Sequence, residues 1–167
     1  MLTYYMVLCF AFVYEASSTH FTTCPDSWVP YHDSCYYFHY DSLDFITAEH
    51  YCTQHNSHLV HIDDAAENAF IKNRIEHISP KTSWWIGLTD EQIEGVYKWV
   101  DIDEEMLPGA FTDWAPGQPD DYHHLEDCGL MMHGNWSGIL WLWNDARCDA
   151  KFPAICELRD GQSEIVG

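Results

Sequence analysis

Three short stretches, Gln118-Pro119-Asp120-Asp121, Glu126-Asp127-Cys128 and Trp143-Asn144-Asp145, carry side chains ending in hard carboxylate or amide oxygens. Donors of this kind suit Ca²⁺ rather than zinc, copper or an iron cluster. Gathered without a cation they repel: two carboxylates about 4 Å apart cost on the order of 4 kcal/mol at an effective dielectric near 20. A fold that holds several such contacts needs a counter-ion, and calcium is the expected cofactor. Taken singly, each stretch reads as an acidic loop of an acidic protein. Taken together, with the proline and the Trp-Asn-Asp triplet, they read as one site.

The elements that must position these residues are short. Trp28 to Tyr31 and Cys35 to Phe38 read as a small aromatic hairpin turning through His32-Asp33-Ser34. Residues 46–55 have a helical period with Ala48, Tyr51 and Cys52 on one face. Leu59-Val60-His61-Ile62 reads as a brief strand. A second helix starts at Asp64, whose side chain caps while Glu67 reaches back in a capping box. Its inward face is expected to carry Ala66, Phe70, Ile71 and Ile75. After Pro80 the helical period does not return. Strands are expected at 84–88, 96–100, 128–132, 140–143 and 152–156. Between them, residues 101–126 form a long segment with little pattern, and a loop of that length in a compact domain is usually functional or disordered. Its acids and Trp114 argue for function.

The 167 residues suffice for one domain, and neither internal repeats nor a second domain is visible. A hydrophobic content of 47% with 16% aromatics predicts a folded chain. Lys and Arg number 7 against 27 Asp and Glu, a formal charge of −20, which argues against nucleic acid and anionic membranes as partners. Residues 1–18 read as a secretory signal with an apolar run over 4–13 and small residues before a cleavage near Ser18, although no Lys or Arg precedes the run. The expected localisation is secreted and extracellular. Removing that segment also removes Cys9 and leaves six cysteines, Cys24, Cys35, Cys52, Cys128, Cys148 and Cys156, hence three disulfides with 15 possible connectivities. Residues 158–167 read as a polar tail.

The early pair of helices, the late short strands and the long acidic loop resemble the C-type lectin-like domain. The resemblance runs over residues 24–157. Its anchors are Trp85-Ile86-Gly87-Leu88, Trp99-Val100-Asp101, the run from Phe111 to Asp120, Trp143-Asn144-Asp145 and Ala154-Ile155-Cys156-Glu157. The family's fold is α+β: two helices plus short antiparallel sheets with a long calcium-binding loop. The resemblance implies disulfides Cys52–Cys156 and Cys128–Cys148, with Cys24–Cys35 marking the long form. It implies a sugar-binding calcium held by Gln118, Asp120, Glu126, Asn144 and Asp145. A cis peptide before Pro119, essentially a proline phenomenon, is expected to turn Gln118 and Asp120 towards one ion. It further implies a second calcium at Asp90, Glu94, Asp121, Glu126 and Asp127. In such families Gln-Pro-Asp is associated with galactose and N-acetylgalactosamine, and Tyr122 matches the aromatic position on which the sugar packs. The glycine-rich loop that follows in galactose-binding relatives is replaced here by His123-His124-Leu125.

Other features read more plainly. His123-His124 lacks a third ligand in register and reads as solvated. Trp99, Trp114 and Trp143 read as core. Asn135-Trp136-Ser137 is an N-glycosylation sequon. No nucleophile elbow or similar motif frames the Ser, His and Asp residues, so no enzyme is expected. The leading expectation is a secreted calcium-dependent lectin for terminal galactose or N-acetylgalactosamine, acting in glycan recognition or innate immunity, with non-covalent self-association as a route to avidity. The alternative is an acidic structural protein associated with calcium carbonate.

Overall fold

The computed structural model describes residues 23–79, 81–136 and 139–159. The expected signal, Cys9, Ser137 of the sequon and the tail from residue 160 lie outside the described residues, as does the side chain of Asn135. Strand β1 (Val29–Tyr31) pairs with β2 (Ser34–Leu43) around His32-Asp33. β2 is longer than its aromatic core suggested, because it continues along β9 (Phe152–Arg159), antiparallel from Ser34↔Arg159 to Leu43↔Phe152. The second and last strands of the domain thus close on each other.

Helix α1 (Phe45–Gln54) begins at Phe45 because Asp44 caps it, accepting the Thr47 amide at 2.8 Å. It buries Phe45, Ala48 and Cys52, with Tyr51 half-buried. Helix α2 (Ala65–Ile78) has the expected cap: Asp64 Oδ1 accepts from Ala66 and Glu67 at 2.8 and 2.9 Å. Glu67 reaches back to the amide of Asp63 at 2.8 Å, one residue upstream of the partner a capping box uses. The inward face also differs from expectation. Ala66 is exposed, while Glu67 and Asn68 are buried beside Ile71 and Ile75. Hydrophobicity misjudges this phase because both buried polar groups have distant partners. Tyr36 donates to Glu67 Oε1 at 2.7 Å, and Trp143 Nε1 donates to Asn68 Oδ1 at 3.1 Å.

The remaining strands are β3 (His58–Leu59), β4 (Trp84–Thr89), β5 (Lys98–Trp99), β6 (Glu104–Glu105), β7 (Cys128–Trp136) and β8 (Ile139–Ala146). The sheet runs β1-β2-β9-β4-β5-β6, with β3 on β9, and β7 joining β4 to β8. The strands expected at 59–62 and 96–100 shrink to two residues each, and those expected at 128–132 and 140–143 lengthen into the β7–β8 ladder. Gly87 allows β4 to approach β3: a Cβ there would lie 2.5 Å from the Leu59 carbonyl oxygen.

Disulfides Cys24–Cys35, Cys52–Cys156 and Cys128–Cys148 are formed, as the resemblance implied. Trp99 and Trp143 are buried, and half-buried Trp114 packs edge-on to Trp143 at 5.8 Å, so all three belong to the core. The class is α+β, with the long loop lying against β8.

Candidate functional site

The long loop is docked before it reaches the acids. Asp113 O accepts from Trp143 N, and Ala115 N donates to Trp143 O, both at 2.8 Å, so the loop pairs briefly with β8. The Asp113 carboxylate accepts from Asn68 Nδ2 at 2.6 Å and takes Lys72 Nζ as a salt-bridge partner, tying the same stretch to α2. A turn follows, closed by Gln118 N on Ala115 O at 2.8 Å, and the Gln118–Pro119 bond is cis.

Beyond the proline, Asp120, Glu126 and Asp145 converge. Each offers a carboxylate oxygen, and the three oxygens lie within 4.8 Å of one another. Asp145, on β8, is 0% exposed. Its Oδ2 accepts the amides of Asp120 and Asp121 at 3.0 and 2.7 Å, while its Oδ1 is buried without a partner. Gln118 Oε1 is likewise buried and unpartnered. Buried acceptors are normally satisfied, so the unpartnered Asp145 Oδ1 and Gln118 Oε1, together with three converging carboxylates, are hard oxygen donors of the kind a calcium ion takes. Electrostatics agree. Burial raises the carboxyls of Glu126 and Asp145, and neighbouring acids add to it: Asp145 and Asp120 for Glu126, Asp120 for Asp145. Asn144 is half-buried, with its amide nitrogen donating to the Asp145 carbonyl.

The second predicted set is gathered less tightly. Asp90 is 2% exposed; its Oδ2 accepts from Gly95 N at 2.8 Å and its Oδ1 has no partner. Burial, with Glu94 and Asp127 nearby, pushes its carboxyl up to about 6. Burial likewise raises Glu94, with Asp121 and Asp127 adding to it. The Asp127 carbonyl accepts from Asp90 N at 3.1 Å and from Thr89 Oγ1 at 2.7 Å, which joins the two loops. Asp121 is otherwise engaged. Its Oδ2 lies 2.8 Å from His124 Nδ1 and its Oδ1 accepts from Glu126 N at 3.3 Å. Burial works to raise its carboxyl, but the His124 hydrogen bond and the backbone amides outweigh that and hold it low.

Tyr122 stands 62% exposed on a short 3₁₀ turn, Tyr122–His124, with the ring of His123 edge-on at 4.0 Å. Asp121, His123 and His124 all have positive φ. A glycine-poor sequence thus makes this turn with side chains in the left-handed region, at a cost of order 1 kcal/mol or more for each residue. The side chain of His124 is 94% exposed. Sequence reasoning missed two contributors, Asp113 as the loop's anchor and Asp145 as its backbone clamp. Neither role leaves a local pattern, since each joins segments far apart in the chain.

The Lectin C-type domain family model matches residues 41–158. Human C-type lectin domain family 10 member A is 37% identical over 152 residues, covering 88% of this chain and 44% of that protein. Rat asialoglycoprotein receptor 1 is 38% identical over 146 residues, covering 84% of this chain and 46% of the receptor. The chain therefore spans less than half the length of these relatives. Among solved structures, the C-type lectin CEL-I from Cucumaria echinata superposes with a TM-score of 0.72 at 32% identity, over 81% of this chain and 96% of that one. The fold and these likenesses agree: the chain belongs to the C-type lectin domain family.

Proposed function

We propose that this chain is a secreted, calcium-dependent lectin for glycans ending in galactose or N-acetylgalactosamine. The observation that carries the reading is the convergence of Asp120, Glu126 and Asp145, with the buried Asp145 Oδ1 and Gln118 Oε1 left without partners. In this reading Gln118, Asp120, Glu126, Asn144 and Asp145 hold the calcium, and the same side chains hydrogen-bond two vicinal sugar hydroxyls. The ion supplies open coordination positions for those hydroxyls. Tyr122, exposed two residues after Asp120, offers its ring to the apolar face of galactose. A second calcium is assigned to Asp90, Glu94, Asp121, Glu126 and Asp127, the orphaned Asp90 Oδ1 being its best support. Asp121 must release His124 to join that set.

Among the described residues no helix is long and apolar enough to cross a membrane. Recognition of foreign or self glycans in innate immunity, with avidity from non-covalent self-association, completes the proposal. A glycan array probed with calcium and again with chelator tests it. Selective, chelator-sensitive binding of galactose-terminated glycans is expected. Absence of any sugar discrimination, with retention on calcium carbonate, would instead support the mineral-associated alternative.

A further inference from the structure

Asn68, on the buried face of α2, makes one hydrogen bond to each of the two segments that carry the proposed calcium ligands Gln118, Asp120, Asn144 and Asp145. It is 4% exposed. Trp143 Nε1 donates to its Oδ1 at 3.1 Å, and its Nδ2 donates to Asp113 Oδ2 at 2.6 Å. An indole N–H can only donate and a carboxylate can only accept, so the chemistry of the partners fixes both ends of the amide. The bond to Asp113 is charge-assisted, which makes it the stronger of the two.

Both partners stand at the roots of the site. Trp143 immediately precedes Asn144 and Asp145 on β8, and Asp113 leads into the turn that presents Gln118 and Asp120. The two roots meet through an isolated bridge of two backbone hydrogen bonds, and so short a pairing leaves the loop able to hinge about it. Asn68 braces both roots from a third element. Lys72, one turn further along α2, pairs with the same Asp113 oxygen. The Trp143 end of the brace is rigid, because its ring is fully buried and lies edge-on to Trp99, Phe111 and Trp114 at 5.8, 5.7 and 5.8 Å.

We infer that Asn68 is a positioning residue for calcium, setting the affinity of the site by holding the loop and β8 in one relative placement; this rests on the calcium reading given above. Neither of its two partners, Asp113 and Trp143, is a proposed ligand, so its effect passes through the backbone they anchor. The apparent affinity of a site falls in proportion to the fraction of molecules whose ligands already stand in place. Asp120 on the loop and Asp145 on β8 already converge with Glu126. Without the brace the two segments part for some of the time, and binding must then restore their placement.

The test is a calorimetric titration with CaCl₂ at fixed neutral pH, well below the melting temperature of every variant. Asn68→Asp keeps an acceptor for Trp143 but sets a carboxylate against Asp113. It should weaken calcium binding about tenfold, the lower end of what outer-shell partners of a metal site contribute. Asp113→Asn alone still offers an amide oxygen to Asn68 and should weaken binding less. Together the two substitutions exchange donor and acceptor at unchanged formal charge, and affinity should return to within about twofold of wild type. Should Asn68→Asp not fold, Asn68→Ala, which adds no buried charge, carries the affinity measurement. A side chain that serves stability alone lowers the melting temperature and leaves the calcium constant where it was. Wild-type affinity in Asn68→Asp or Asn68→Ala, or a loss in Asn68→Asp that Asp113→Asn does not rescue, therefore overturns the inference and leaves the calcium reading standing. A wild-type protein that takes up no calcium overturns both.

Discussion

The Oδ2 of Asp145 lies 2.7 Å from the amide nitrogen of Asp121, across 24 residues of sequence. One buried side chain on β8 thus clamps the backbone of the long loop with one oxygen, and its other oxygen remains free. The residue that holds the loop's backbone is also one of three converging carboxylates.

Replacing that residue separates the two roles. Asp145→Ala removes the carboxylate that accepts the Asp120 and Asp121 amides and should cost about 1.5–3 kcal/mol in urea unfolding in EDTA. Asp145→Asn keeps an acceptor for those amides, so in EDTA it should lose much less. Both variants should lose sugar binding at physiological calcium. Equal destabilisation by the two substitutions would show that the clamp contributes nothing.

Calcium should order the loops and permit sugar binding. Extracellular calcium modules have dissociation constants of about 10⁻⁴–10⁻³ M. At ten times that constant, one site stabilises the fold by about 1.4 kcal/mol. The melting temperature should fall in EDTA, and retention on immobilised galactose should vanish. Undiminished retention in chelator contradicts the calcium-dependent reading.

Acid should release the ligand. Asp90 sits at about 6, and Glu126 and Asp145 are also raised by burial. Protons therefore begin to compete with calcium as pH falls through 6, above the ordinary carboxylate range. Galactose binding should drop between pH 7.5 and 4.5. A flat curve across that interval argues against it, and the double variant His123→Gln/His124→Gln separates any histidine contribution.

Glu67 should make stability itself pH-dependent. Burial first, then Glu157, push its carboxyl up to about 7. A raised carboxyl stabilises the fold below its unfolded value, and that contribution is lost as pH rises through 7. With calcium saturating, unfolding free energy should decline from pH 5 to 8.5 by about 2–3 kcal/mol on this account. Glu67→Gln, which cannot ionise, should flatten the decline. Parallel wild-type and variant curves would assign the dependence elsewhere.

Specificity should reside in Gln118 and Asp120. Gln118→Glu with Asp120→Asn keeps the formal charge and oxygen count but reverses donors and acceptors around the ion. Calcium binding should persist, galactose binding weaken and mannose binding rise. Tyr122→Ala removes a packing face and no proposed calcium ligand. At about 0.5–1.5 kcal/mol, its loss should weaken galactose about two- to twelvefold without changing calcium affinity. A double variant that keeps its full galactose preference on an array would falsify the motif's role as selector.

Much of the site was legible because its chemistry is written in residue types. Gln118-Pro119-Asp120, Glu126 and Asn144-Asp145 offer hard oxygens wherever the chain places them, and of these Asp120, Glu126 and Asp145 converge in the fold. The Asp64 cap and the hairpin around His32-Asp33 were equally readable, being settled within a few residues. The phase of α2 was not, because burying Glu67 and Asn68 depends on Tyr36 and Trp143, distant in sequence. Nor could spacing show that Asp113 pins the loop to α2 and β8, or that Asp121 is held by His124. A sequence states which groups can donate or accept; only the fold decides which find partners, because that depends on contacts between segments far apart in the chain.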